Sequence, residues 1–402
     1  MTRIIVVGAG QAGATLVAKL RSEGFDGDVE LIGSEEFPPY QRPPLSKAYL
    51  LGDVQKERLY LRPEAFYREN EINLRLGTLV ENLKPSAKEI TLSSGEVLSY
   101  DAMALATGSQ PRRLPASIGG SLNGVLTIRN MKDADAMAPY FQKGNRVLVV
   151  GGGYIGLEAA AAASARGLHV TLIEAGSRIL QRVASELTSD YFRALHLRHG
   201  VNIREGVGLE RLSGKDHVAG AVLSDGSWLD INFAIVGIGI EPSVSLATAA
   251  GLDVDEGIVT DAQASTSQAG IWAVGDCATC DFKGQRMRIE SVGNAIAQSE
   301  VAALSMMGQD AEYLPQPWFW SDQFDCKLQI AGVSTGYTDV VVREGEGFRS
   351  HWHFAGDELI SVDAMNDPKG YMVGKRLIEL GRSPSKEYLR DPDSNLKELL
   401  RS

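Results

Sequence analysis

Cysteine is scarce in this chain: Cys277, Cys280 and Cys326 are the three present in 402 residues. An odd and small number rules out a disulfide scaffold and fits a reducing cytoplasm. Basic residues are also in deficit, 40 Lys and Arg against 51 Asp and Glu, for a net charge of -11. That excludes a general nucleic-acid binder but leaves room for a local basic patch facing an acidic protein. No apolar run reaches the length of a membrane span, so no membrane association is expected. The opening "MTRIIVVGAG" enters a strand at once, with no apolar core ahead of a small-residue cleavage site, so no secretory leader is expected either. A structural zinc site needs four ligands, and the Cys-x-x-Cys of "GDCATCDF" has no second pair within reach. No metal centre is therefore expected, with His351 and His353 read as part of an alternating strand.

What is present is glycine in tight clusters, the sign of backbone closely approaching a ligand. "RIIVVGAG", "QAGATLVAKLRSEG" and "VELIG" read as strand, helix and strand, with Ala14, Leu16, Val17 and Leu20 at helical spacing and a stop at Gly24. The pattern returns at residues 145–176, "NRVLVVGGGYIGLEAAAAASARGLHVTLIEAG". Each βαβ unit carries G-x-G-x-x-G between strand and helix: Gly8, Gly10 and Gly13, then Gly151, Gly153 and Gly156. The first glycine permits the turn, the second lets backbone meet a pyrophosphate, and the third lets helix pack on strand. Two fingerprints predict two dinucleotides. "LSYDAMALATGSQP" closes the stretch between the two units with a strand and a glycine turn, and "FAIVGIGIEP" and "AGIWAVGDCAT" follow the second unit in the same style; beyond about residue 315 the texture becomes a run of strands closed by the helix "PKGYMVGKRLIELGR".

The ends of the second strands discriminate between nucleotides. Glu174 stands where a carboxylate accepts both ribose hydroxyls and repels a 2′-phosphate, which favours NADH over NADPH. Arg178 and Arg182 follow and offer the opposite reading, a grip on a 2′-phosphate, beside a bland one as pyrophosphate contacts or solvated helix face. In the first unit the same place is Gly33-Ser34-Glu35, where Ser34 or Glu35 would meet a ribose.

Over nearly its whole length the chain resembles the FAD-dependent ferredoxin reductases that feed bacterial oxygenases, within the glutathione-reductase-like flavoproteins. The residues that carry the resemblance are "VVGAGQAG", "PPYQRPPLSKAYL", "LATGSQPR", "GGGYIGLE", "GIGIEP", "WAVGDCA", "RIESVGNAIAQ" and "PWFWSDQ", in that order. It implies an α/β fold of two Rossmann-like dinucleotide-binding domains with a mainly β C-terminal domain: 1–109 with 242–315 for FAD, 110–241 for NADH, and 316–402 as an α+β domain. It also implies Asp276 on an FAD ribitol hydroxyl, a job compatible with N-capping a following helix. Arg42 and Lys47 would lie along the pyrophosphate and flavin, and Val80, Arg129 and Val292 would add FAD contacts. Ala12, Ser34, Glu35, Ala106, Thr107, Gly108 and Glu290 complete that set. On the NADH side it implies Tyr154, covering the flavin until nicotinamide arrives, with Ile155, Glu158, Glu174, Arg182 and Gly239. Glu158 would pair with Lys47 beside flavin N5, and Trp320, with Trp318 as alternative, would lie nearest the isoalloxazine.

The cysteines depart from the disulfide-reducing members of this fold. "YQRPPLSKAYL" has none where the glutathione-reductase type carries its pair, and Cys277 with Cys280 follows the second fingerprint by more than a hundred residues, whereas thioredoxin reductases place theirs before it. A thiol lowered by a helix N-terminus would still make side oxidation possible. The resemblance thus implies an NADH:ferredoxin oxidoreductase delivering single electrons to an acidic 2Fe-2S ferredoxin, and through it to a haem-thiolate monooxygenase, as a cytoplasmic monomer or weak homodimer. Lys283, Arg286 and Arg288 are candidates for steering that partner. A ferredoxin of a ring-hydroxylating dioxygenase, a small-molecule acceptor, and a redox-sensing role like that of apoptosis-inducing factors remain open alternatives.

Overall fold

The computed structural model describes residues 2–401. The chain divides into two compact units. The first gathers the chain up to Arg42 with Gln55–Gln110 and Glu241–Pro317; the second gathers Pro43–Val54, Pro111–Ile240 and the chain from Trp318 onward.

The first unit is built on a parallel five-stranded sheet in the order Ile271–Ala273, Ala102–Leu105, Arg3–Val7, Asp28–Ile32, Ile72–Arg75. The central strand is β-branched, and Ile4, Ile5 and Val6 are completely buried, which suits a strand covered on both faces. Helix Gln11–Ser22 buries Leu16, Val17 and Leu20 against that sheet. Each such side chain contributes about 1.5–3 kcal/mol on removal from water.

The second unit repeats the plan: Asn202–Glu205, His169–Glu174, Arg146–Val150, Phe233–Val236 and Val125–Leu126 form another parallel sheet. Its crossover helix Tyr154–Ala165 is an alanine run buried nearly all round, where only small side chains allow close approach. The same unit holds an antiparallel sheet in the order Trp318–Gln323, Cys326–Gly332, Glu358–Met365, Phe348–Ala355, Asp339–Gly345, with helix Pro368–Glu379 on one side.

The strand Phe348–Ala355 does not alternate as expected. Trp352 and Phe354 pack in the core that includes Val373 and Leu377 of helix Pro368–Glu379. His351, equally buried, meets Thr188 of helix Glu186–Arg198, whose hydroxyl also donates to Asp363. Both faces are covered. Burial pushes the His351 pKa down to about 3 and lowers that of His353, so both rings are neutral structural groups.

Candidate functional site

In the first unit, the glycines of the first turn do three different things. Gly8 has φ +116°, and a Cβ there would lie 2.0 Å from the Ala106 carbonyl oxygen. A Cβ on Gly13 would lie 2.0 Å from the Gly8 oxygen, whereas one on Gly10 would meet nothing within 4 Å. Gly10 is also the N-cap of helix Gln11–Ser22 and supplies no side-chain cap. The first-turn N–H groups therefore face open space, the arrangement that receives a pyrophosphate. Gly275, at φ +76°, comes so close to this helix that its Cβ would stand 3.0 Å from that of Ala12, and its N–H donates to Gln298. That contact sets Asp276 beside the helix start, where its carboxylate accepts from the Ser109 hydroxyl at 3.1 Å.

Asp276 caps no helix. It lies in the short turn Gly275–Cys277, which leads into strand Ala278–Phe282. Around it, the turn Ala106–Thr107–Gly108 is tied down by Thr107 donating to the Ser243 carbonyl at 2.7 Å. Arg42 pairs with Glu35 at 2.6 Å, and Tyr40 donates to the same carboxylate; Ser34 is exposed. Val80 is a core side chain, Glu290 pairs with Arg288 at 2.8 Å, and Val292 opens helix Val292–Met306 behind the Ser291 cap. This set fits a long dinucleotide: open amides for a pyrophosphate and a carboxylate for a polyol.

The second unit carries the second turn. Gly151 has φ +106° with a prospective Cβ 2.3 Å from the Gly237 oxygen, Gly156 would clash with the Gly151 oxygen at 2.1 Å, and Gly153 is open. The Glu174 carboxylate accepts from the N–H groups of Gly152 and Gly176, each at 2.7 Å. It is held at the mouth of the turn with lone pairs left for hydroxyl donors.

Arg178 is not a phosphate ligand in waiting. Its guanidinium donates to the carbonyls of Gln181, Ala184 and Ser185 and to the Ser189 hydroxyl, so it ties the following turn to helix Glu186–Arg198. Arg182 is exposed and reaches to 3.3 Å from where a Cβ of Gly239 would be. Ile155 is exposed, but Tyr154 is not a free cover: its ring packs on Phe319 with centroids 4.6 Å apart and its hydroxyl is buried without a partner among the described residues. Burial raises its pKa well above the ordinary value.

The pair expected of Lys47 and Glu158 is present within this unit. Lys47 Nζ lies 2.8 Å from Glu158 Oε1, with side chains 19% and 6% exposed. Two hydroxyls complete the carboxylate's shell: Ser321 donates to Oε1 at 2.6 Å and Ser46 to Oε2 at 2.7 Å. Such convergence is what a buried ion pair needs to offset its desolvation. Neither serine was singled out by motif reasoning, although Ser321 lies inside "PWFWSDQ" next to Trp320. In strand Trp318–Gln323, Ser321 and Gln323 point to one side. Trp318 and Trp320 occupy the other and stack on each other at 5.6 Å. Lys47 and Arg129 both belong to the second unit, and Arg129 donates its backbone N–H to Asp133 in a helix cap.

The cysteines sit differently from expectation. No helix begins at either Cys277 or Cys280, and all three thiols are free and buried. Cys277 donates to the carbonyls of Leu105 and Val274, Cys280 to that of Met287, so the two thiols turn to different partners. Burial raises the Cys277 pKa and takes Cys280 to about 11, the opposite of activation. No metal-binding group of His, Cys, Asp and Glu occurs among the described residues, and no helix there is long and apolar enough to cross a membrane. Lys283 lies in the hairpin turn after strand Ala278–Phe282, where Arg286 pairs with Asp255 and Arg288 with Glu290. Arg286 and Arg288 are thus each matched by a carboxylate outside the hairpin.

Comparison with known proteins agrees with both turns and with the C-terminal sheet. Residues 2–299 match the family model of pyridine nucleotide-disulphide oxidoreductases, and residues 318–400 match the reductase C-terminal model. Rhodocoxin reductase of Rhodococcus erythropolis is 37% identical over 98% of this chain and 93% of its own. The ferredoxin–NAD(+) reductase component of the anthranilate 1,2-dioxygenase system of Burkholderia cepacia is 38% identical, covering 98% of each. The reductase in the covalent putidaredoxin reductase–putidaredoxin complex superposes with a TM-score of 0.96 at 36% identity, over 100% of this chain and 98% of that one. Two open glycine turns, a buried Lys–Glu pair and no thiol placed to relay electrons thus accompany full-length similarity: the chain belongs to the pyridine nucleotide-disulphide oxidoreductases, as a putidaredoxin reductase-type ferredoxin reductase using FAD and NAD(P)H.

Proposed function

We propose that this reductase draws its electrons from NADH and delivers them singly to a 2Fe-2S ferredoxin serving a haem-thiolate monooxygenase in the cytoplasm. The observation that carries the reading is the largely buried Lys47–Glu158 pair, an ionic centre suited to a hydride site, in a chain whose Cys277 and Cys280 are buried donors to backbone carbonyls. When bound, FAD supplies the conversion of one hydride into two one-electron deliveries. The chain's own residues do the rest. Gly8, Gly10, Gly13 and Asp276 hold the flavin nucleotide; Gly151, Gly153, Gly156 and Glu174 hold NADH; Lys47 and Glu158 orient the reacting end, with Trp320 beside it. A ferredoxin of a ring-hydroxylating dioxygenase is the second reading, because the anthranilate dioxygenase component is as similar as rhodocoxin reductase.

Stopped-flow mixing tests the proposal. Fast bleaching of the flavin by NADH, followed by fast reduction of a 2Fe-2S ferredoxin, is expected both for the natural chain and for the Cys277→Ser, Cys280→Ser double variant. Turnover only with quinones or oxygen, unaided by any ferredoxin from either oxygenase class, defeats it. Loss of ferredoxin reduction in the double variant with FAD still bound restores a disulfide relay. Nucleotide choice has its own check. Glu174→Ala removes the ribose acceptor and unties the Gly152 and Gly176 N–H groups, so the NADH-over-NADPH ratio of kcat/KM should fall about tenfold or more. An unchanged ratio means that the adenosine ribose lies elsewhere.

A further inference from the structure

Glu158 is the end of a longer buried file. His196 Nε2 lies 2.8 Å from Gln323 Oε1, Gln323 Nε2 lies 3.0 Å from Ser321 Oγ, and Ser321 Oγ lies 2.6 Å from Glu158 Oε1. His196, Gln323 and Ser321 are all fully buried, and they come from helix Glu186–Arg198 and strand Trp318–Gln323.

Donor counting fixes the direction of every bond in the file. The Glu158 carboxylate, paired with Lys47, has no proton to give, so the single Ser321 proton points to it. Ser321 then accepts from Gln323, which turns its amide nitrogen inward and its oxygen toward His196. That oxygen is only an acceptor, so His196 carries its proton on Nε2 and leaves Nδ1 bare. The structure agrees on an independent point: Nδ1 of His196 is buried and has no partner among the described residues. Burial, with help from His199 and against the Gln323 bond, takes the His196 pKa down to about 4, so the ring is neutral near pH 7.

We propose that Ser321, Gln323 and His196 are positioning residues for hydride transfer: a one-way chain of hydrogen bonds that holds the Glu158 carboxylate against Lys47 and fixes the Trp320 strand to it. This rests on the reading of Lys47 and Glu158 as the hydride site. Ser321 and Gln323 use the buried side of the strand while Trp318 and Trp320 use the other, so the chain that orients the carboxylate also sets the strand's height and tilt. Without Gln323, the Ser321 hydroxyl regains its rotation and Glu158 loses a fixed donor. Without Ser321, Glu158 keeps Ser46 and Lys47 among the described residues.

Two measurements on the holoenzyme test this. Nitrogen-15 NMR of the natural protein should show the His196 imidazole neutral and protonated on Nε2 between about pH 6 and 8; the Nδ1–H tautomer overturns the chain's direction. In stopped-flow reduction, Ser321→Ala and Gln323→Leu should each lower the rate constant at saturating NADH by about tenfold per bound flavin, with half-saturating NADH unchanged, and Ser321→Thr should recover most of the loss. Wild-type rates per bound flavin in both variants, with only stability or flavin content reduced, leave the chain merely structural and overturn the proposal. Glu158→Gln separates the two levels. If it reduces its flavin at the natural rate, the hydride-site reading fails; if it is slow while Ser321→Ala and Gln323→Leu are not, only the positioning chain fails. Should Gln323→Leu not fold, the Ser321→Ala and Ser321→Thr comparison and the tautomer still decide.

Discussion

Glu158→Ala lowers the rate constant for flavin reduction by NADH about a hundredfold and destabilises the protein by about 3 kcal/mol. Three donors lose their acceptor at once: Lys47, Ser46 and Ser321, the last of which is fully buried. A lone half-buried cation is the worst of these, because little else in the shell offsets its desolvation. Among the described residues, Lys47 Nζ has one other close oxygen, the Pro43 carbonyl at 3.4 Å, which is a weak substitute. The expected response is for Lys47 to swing toward water, taking its charge away from the reacting end. Stability follows from urea unfolding of the holoenzyme, the rate from stopped-flow at saturating NADH. A variant as fast as the natural enzyme, whatever its stability, removes Glu158 from the hydride site. Lys47→Met is a useful complement, since it leaves a carboxylate held by two hydroxyls instead of a cation held by none.

Much of the architecture was legible because it rests on local rules. The strand Arg3–Val7, the helix Gln11–Ser22 and their repeat at Arg146–Val150 and Tyr154–Ala165 follow from apolar periodicity interrupted by glycines, and both turns have the positive φ that those glycines permit. What escaped was long-range. The strand Phe348–Ala355 looks half-buried because His351 and His353 are polar, yet both are sealed in: His351 meets Thr188, far away in sequence, and His353 meets Ser361 of the neighbouring strand. The helix that Asp276 could have capped is likewise absent: parallel pairing of Ala278 and Thr279 with Ile258 and Val259 draws that segment into a strand. Neither Cys277 nor Cys280 therefore stands at the start of a helix.

The candidate site was legible to a similar depth. The glycines and Glu174 stand out because the roles proposed for them need those residue types at those spacings, whereas Asp276 follows from the family resemblance alone. Arg178 did not reveal that its two terminal nitrogens are absorbed by three nearby carbonyls and a serine, which only folding of the 178–189 segment brings together. Ser46, Ser321, Gln323 and His196 are ordinary letters in the sequence. Polar residues at 321 and 323 alternating with tryptophans would ordinarily put the serine and glutamine in water, and it is Glu158 and His196, far away in sequence, that bury them.

Gly10→Ala and Gly153→Ala should separate the two nucleotides in one fold. Both glycines have extended backbone angles that alanine adopts freely, φ -93° and φ -78°, and a Cβ at either meets no protein atom within 4 Å. Neither change disturbs the chain itself, in contrast to Gly8→Ala, where φ +116° and an oxygen at 2.0 Å would force the first strand away from its neighbour. The added methyl instead enters the space that a pyrophosphate needs in front of the helix amides. Overpacking by one methyl is worth about 2 kcal/mol there, or about thirtyfold in affinity. Gly10→Ala should then purify folded by circular dichroism but with little bound FAD, regaining flavin absorbance only at high added FAD. Gly153→Ala should keep its FAD and require about thirtyfold more NADH to reach half its maximal reduction rate. The outcome that counts against the assignment is an exchange of phenotypes or the absence of both: flavin loss from Gly153→Ala puts FAD on the second turn, and two fully active variants mean that neither helix start carries a pyrophosphate.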